Sequence, residues 1–212
     1  MIVANSELTR SQLIKAGFPE DRIQIGPSLR FSHLFEDTSV SGPEARSILV
    51  ALAFDADASR ELLKMLVSAF REDDDVRFYI KAHPAVTDLM FEKLIAGLCL
   101  PPFMQRVCGS MGEWIPRATC AVSGATTAAF ELAVAGVPLV LVGREADLDI
   151  NPLADCPEID PPDYTVNELR HQVMSLVDSD RSTLGRFKEW KDRMRRTALN
   201  PVTADTMKVF QS

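Results

Sequence analysis

The sequence lacks most of the signatures that assign a protein at sight. Its four cysteines, Cys99, Cys108, Cys120 and Cys156, form no C-x-x-C pair, and His33, His83 and His171 are scattered. Zinc frameworks need tighter spacings, so no metal site is read. The thiols are expected as small buried hydrophobes, reduced in a cytoplasmic setting. An excess of basic charge is missing too: 23 Lys and Arg stand against 30 Asp and Glu, a formal charge of −7. A general nucleic-acid binder needs a basic surface to displace counterions from phosphates, so that class is excluded, whereas a local pocket for one small anion is not. No apolar run approaches the about 20 residues of a transmembrane helix. The start, Met1-Ile2-Val3-Ala4-Asn5-Ser6, has no basic stretch followed by an apolar one and does not read as a secretory signal.

What is present is an ordinary globular composition, 46% hydrophobic and 25% charged over 212 residues, organised as an alternation. Residues 2–4 read as a short strand. Asn5-Ser6-Glu7 opens a helix with Leu8, Leu13 and Ile14 on one side and Gly17 as its stop. Residues 23–26 form a second brief strand, and 37–46, Ser-rich with Gly42-Pro43, a loop. From there the pattern is regular. Residues 47–54 (SILVALAF) are nearly all apolar, as expected of a strand covered on both faces. Ser59 is the expected cap of a helix over 60–71, whose Leu62, Leu63, Leu66, Val67 and Phe70 share a face. A strand over 76–81 ends at Ala82-His83-Pro84, and Thr87 caps a helix to 98. Further strands are expected at 104–108, 119–122 and 138–142. A helix over 128–135 stops at Gly136, and two or three polar helices follow a Pro- and Asp-rich loop. Strands separated by helices imply βαβ units, a parallel sheet and right-handed crossovers. The fold class is therefore α/β, a Rossmann-like doubly wound parallel sheet with helices on both faces.

Ligands of such sheets sit outside the carboxyl ends of the strands, and two loops there carry unusual residues. In Lys81-Ala82-His83-Pro84 a histidine ends a buried strand, and Pro84 fixes the backbone beyond it. Its imidazole can donate to a phosphate oxygen or protonate one as it leaves, or it can simply bond a neighbouring carbonyl. In Ser123-Gly124-Ala125-Thr126-Thr127 three hydroxyls and a glycine precede a helix. Helix-start amides and the helix dipole make an anion site there, and Gly124 permits close approach of a ligand. The loop lacks the G-x-x-x-x-G-K-[ST] and G-x-G-x-x-G spacings, so it is neither a P-loop nor a dinucleotide fingerprint. Glu131 follows within a helix of Ala, Phe, Leu and Val. It either faces the crevice, where it suits a ribose diol, or faces solvent.

These residues resemble the donor-binding half of GT-B glycosyltransferases. In that family a Ser-Gly-x-x-Thr turn is followed by a helical Glu, a Gly-x-Pro and an apolar strand, as in Val122 to Val142 here. UDP-sugar transferases and the non-hydrolysing UDP-GlcNAc 2-epimerases share that form. The pair His83-Pro84 ahead of the turn looks like the bacterial sialyl-, polysialyl- and Kdo-transferases and the polyglycerol-phosphate polymerases, which use CMP- or CDP-linked donors. Asn5-Ser6-Glu7 and Gly26-Pro27-Ser28-Leu29-Arg30 also look like bacterial surface-carbohydrate proteins.

The resemblance implies a set of roles. His83 is the catalytic residue, in contact with the donor phosphate or the leaving nucleotide. Arg30, Ser123, Gly124, Thr126 and Thr127 bind the nucleotide phosphate, Glu131 holds the ribose, and Asn151 lies near the sugar. No metal or other cofactor is implied. The partners are a nucleotide-sugar donor and a glycan or lipid-linked acceptor, the latter bound by an N-terminal domain missing here, so that the isolated chain is expected to be inactive. The expected organisation is a junction over 1–40, a nucleotide-sugar domain over 41–180, and C-terminal helices over 181–212 that pack on it or on the missing domain. The basic cluster Lys188, Lys191, Arg193, Arg195 and Arg196 is read as a solvated face, with a membrane-surface role as the alternative. The expected location is cytoplasmic, with peripheral association at the inner membrane face. In the acidic loop after the first strand, Asp55 and Asp57 would repel a diphosphate, so that loop is expected to be turned away or near sugar or acceptor. Two other readings stay open: a UDP-sugar epimerase-like domain, and a non-catalytic GT-B half.

Overall fold

A computed structural model describes residues 1–35, 44–71, 75–124, 126–143, 153, 165–179 and 181–211, with the side chains of residues 33 and 181–188 left aside. The chain divides into two units, Met1–Ser39 with Lys188–Ser212, and Val40–Phe187.

The smaller unit holds a parallel pair, β1 (Ile2–Ala4) and β2 (Ile23–Ile25), joined through α1 (Glu7–Lys15). Ser6 caps α1 by accepting from the Thr9 amide. At the exit of β2 the C-terminal segment is fastened on: Ser28 N–H donates to the Asn200 carbonyl at 2.8 Å, and Asn200 N–H donates to Ser28 Oγ at 2.9 Å. Gly26 is required here, since a Cβ would lie 2.4 Å from Val3 Cγ1.

The larger unit is a five-stranded parallel sheet built from β3 (Ser47–Ala51), β4 (Arg77–Lys81), β5 (Met104–Val107), β6 (Cys120–Ser123) and β7 (Leu139–Leu141). Its order is β5-β4-β3-β6-β7. After β3 the chain steps one way through α2 (Ala56–Ala69) and α3 (Asp88–Ile95). After β5 it steps back through α4 (Met111–Trp114), and then onward through α5 (Thr127–Ala135). Right-handed crossovers therefore place α2 and α3 on one face and α4 and α5 on the other. Burial agrees with this. Ile48, Val50, Phe78, Ile80, Cys120 and Val122 form one core with Leu62, Leu63 and Leu66 of α2, Phe91 and Leu94 of α3, and Leu169 and Val173 of α6 (Val166–Val177). On the opposite face the Tyr79 ring lies 4.9 Å from that of Trp114 in α4. A last helix, α7 (Arg181–Ala198), crosses the division between the units, and α8 (Ala204–Met207) follows it.

The expected doubly wound sheet is present, with three differences in detail. First, β3 stops at Ala51, and the next amide, of Leu52, still bonds the Lys81 carbonyl at 3.0 Å before the chain leaves the ladder. Second, α2 begins four residues earlier than expected. Asp55 is its cap, accepting from Asp57 and Ala58 amides at 2.8 and 3.0 Å, while Ser59 is buried and donates to the Ala53 carbonyl. A carboxylate that satisfies two amides outcompetes the later hydroxyl. Third, only one of the described thiols is buried: Cys99 and Cys108 are exposed. Burial pushes the Cys120 thiol up to about 12. Cys156 lies outside the described residues.

Candidate functional site

The strand order reverses between β3 and β6, and in open α/β sheets ligands bind at the carboxyl ends of the strands at such a reversal. The loops singled out in the sequence flank that point. Ser123 ends β6, Gly124, Thr126 and Thr127 follow it to the start of α5, and Lys81-Ala82-His83 leaves β4 on the far side of β3.

Ser123 is fully buried and its Oγ donates to the Ala51 carbonyl at 3.0 Å, tying β6 to the end of β3. Its oxygen also lies 3.3 Å from Thr126 Oγ1. Ser123 has one proton and gives it to Ala51, so in this contact Thr126 is the donor. Thr126 Oγ1 in turn accepts from the Ala129 amide at 3.3 Å as the cap of α5. Both hydroxyls are therefore engaged in shaping the turn. Thr127, the first residue of the helix, is exposed, and the Ala128 amide has no backbone acceptor among the described residues. No acidic residue occupies the first turn of α5. Gly124 needs no special backbone angle. Among the described residues a Cβ there would meet only the Val142 carbonyl, at 3.7 Å, an ordinary contact. Glu131 is half-buried one turn further along α5.

His83 is held on two sides. Its Nδ1 accepts from the Ala85 amide at 3.2 Å, and the Phe54 ring meets it edge-on with centroids 5.4 Å apart. An Nδ1 that accepts carries no proton, so the neutral ring holds its proton on Nε2 and presents a donor there. The Ala85 bond is a backbone contact of the kind weighed in the sequence, but it leaves the other nitrogen available.

Asp55 spends its carboxylate on the start of α2, and Asp57 is exposed beside it. Arg30 belongs to the smaller unit, exposed, with its guanidinium 5.7 Å from the Phe31 ring centroid. Asn151 lies outside the described residues. The structure thus brings together Ser123, Gly124, Thr126, Thr127, Glu131 and His83 within one unit. Sequence reading missed Phe54, an aromatic 58% exposed three residues past the end of β3. The only signal was a large apolar residue placed after the strand had left the sheet.

Of the basic cluster in α7, Arg193 and Arg196 are exposed, while Lys191 and Arg195 are half-buried. Among the described residues no cluster of His, Cys, Asp and Glu could hold a metal ion, and no helix is long and apolar enough to cross a membrane.

No family model matches the chain, and no curated protein matches it. Solved structures do. The putative UDP-N-acetylglucosamine 2-epimerase of Listeria monocytogenes matches 98% of this chain with 57% of its own, at TM-score 0.62 and 11% identity. The glycotransferase of kitacinnamycin matches 84% with 45% of its own, at TM-score 0.57 and 17% identity. The wall teichoic acid polymerase TagF matches 99% with 55% of its own, at TM-score 0.54 and 12% identity. The likeness is one of fold, that of a GT-B half with its Rossmann-like sheet. The chain spans about half the length of the structures it matches.

Proposed function

We propose that this chain is the nucleotide-sugar-binding half of a GT-B glycosyltransferase of bacterial surface polysaccharide assembly, taking a CMP- or CDP-linked donor. One observation carries the reading. The outward-facing start of α5 and the Nε2–H of His83 flank the same switch point, separated by a single strand. In this reading the α5 amides and Thr127 hold a donor phosphate, within a turn that Ser123, Gly124 and Thr126 shape. Glu131 accepts from the ribose hydroxyls. His83 donates to the leaving phosphate as the bond to the anomeric carbon breaks, and fixed dipoles stabilise the departing charge without a metal. Arg30 and Asn151 are candidate contacts to phosphate and sugar. An acceptor-binding half completes the enzyme, and the assembly works in the cytoplasm at the inner face of the membrane, which the basic face of α7 would touch.

The test is a thermal-shift panel of CMP, CDP, UMP and UDP. Stabilisation by the cytidine nucleotides, lost in His83→Ala and Glu131→Ala, is the expected result. The likeness to the Listeria 2-epimerase over 98% of the chain favours a second reading, a domain for UDP-sugars, and stabilisation by UDP alone would select it. Indifference to every nucleotide would leave a GT-B half without this function.

A further inference from the structure

Lys81 is the one charged residue among the five that pair across the carboxyl end of the sheet: Val107, Lys81, Ala51, Ser123 and Leu141. Residues paired across a parallel sheet point to the same face, so Lys81 is on the Ser123 side, the side of α4 and α5. Along β4, Ala82 is buried in the opposite core. His83 follows two residues after Lys81, past the end of β4, and is half-buried. The Lys81 ammonium is half-buried. Its hydrogen-bond partner is the carbonyl of the next residue, Ala82, at 3.4 Å, and it has no ion pair among the described residues. Glu113 of α4 is near enough to feel its charge. However, that carboxylate accepts from the Ser110 amide and hydroxyl at 2.8 and 2.9 Å, and these bonds hold it below the usual carboxylate range. An ammonium has three donors, and among the described residues the Ala82 carbonyl takes one of them. An anion beside it would take the others.

We propose that Lys81 is a phosphate-binding residue of the same site, closing on one phosphoryl group together with the Nε2–H of His83. The inference rests on the nucleotide reading for the identity of the ligand, but not for its charge. The ammonium supplies the charge and the imidazole a directed donor. Lys81 therefore discriminates phosphorylated ligands from the bare nucleoside.

Isothermal titrations of the full chain with CDP, UDP, cytidine, uridine and inorganic pyrophosphate, on wild type, Lys81→Met and Lys81→Arg, decide the matter. The diphosphate that binds wild type should bind Lys81→Met about tenfold more weakly, the usual loss for one charge-assisted hydrogen bond. Lys81→Arg should stay within about threefold, and nucleoside affinity should not change. Equal binding by wild type and Lys81→Met overturns the proposal, as does an equal loss of nucleoside and diphosphate, which would make Lys81 a structural partner of α4. If neither nucleotide binds wild type, the nucleotide reading fails alone. Pyrophosphate binding by wild type but not by Lys81→Met then sustains the anion site, and its absence overturns that too.

Discussion

Two helices start beside the switch point, α2 after β3 and α5 after β6, and their first turns differ in charge. The α2 start is closed by its own chain: Asp55 accepts from two amides, and Asp57 adds a second negative charge. The α5 start is capped by a neutral hydroxyl that accepts from the Ala129 amide alone, with no acid in the first turn. Each helix directs a partial positive charge of about half a unit toward the crevice. In α2 that charge is answered by a carboxylate, and in α5 no acid of the first turn answers it. If the proposed function holds, this one capping side chain decides which start receives the phosphate.

The comparison breaks most severely if α5 is given the cap of α2. Thr126→Asp keeps a good cap, so the melting temperature should stay within a few degrees. A carboxylate about 4 Å from a bound phosphate opposes it by about 4 kcal/mol at an effective dielectric near 20. Nucleotide affinity by calorimetric titration should therefore fall a hundredfold or more. A variant that binds like wild type would show that the ligand does not use this helix.

Next in size is Ser123→Ala. It strips the Ala51 carbonyl of a buried partner, a loss of about 1–3 kcal/mol in urea unfolding. It also loosens Thr126, which donates to the serine oxygen. Affinity should fall as well, though less than in Thr126→Asp. An unfolding curve superimposable on wild type would mean that the turn is held by its backbone alone.

How much of this contrast is legible in the sequence depends on the range of the interaction. The order of strands and helices is legible because apolar runs such as Ile48 to Val50 and the face Leu62, Leu63 and Leu66 declare their burial locally. The left-handed stop at Gly136 and the cap at Thr87 are local too. The start of α2 is not, although all its parts lie within four residues. Asp55 and Ser59 are both good caps by composition, and what separates them is that Ser59 can reach the Ala53 carbonyl only once the chain has turned out of the sheet. The hydroxyls of the α5 turn looked equally available in the sequence. The bond of Ser123 to Ala51 spans 72 positions and needs two strands in register before it exists. Lys81 and Phe54 are the same kind of case, residues whose meaning comes from the neighbouring strand.

At the α2 start, Asp55→Ala removes the cap and should cost about 1 kcal/mol in the same unfolding assay. Nucleotide affinity should not fall, because the amides it frees belong to the other helix, and loss of the negative charge can only favour a phosphate. Losses of stability in both Asp55→Ala and Ser123→Ala, with a loss of binding in Ser123→Ala alone, would separate the fold's need for these two turns from the ligand's.

The smallest effect tests the contrast most finely. Asp55→Asn keeps an oxygen that accepts from the Asp57 and Ala58 amides and removes only the charge, so stability should change by a few tenths of a kcal/mol. If the α2 start is closed only by the carboxylate, an amide in its place leaves the helix dipole partly unanswered, and a diphosphate in the crevice should bind slightly more tightly, about twofold. The gain should shrink as salt is raised from 50 to 300 mM, because the screening length then falls well below 10 Å. A gain of tenfold or more would mean that the acidic loop lies against the ligand and that the two helix starts form one site. No change at any salt concentration would place the loop beyond reach of the phosphates, leaving α5 and the β4 exit to hold them.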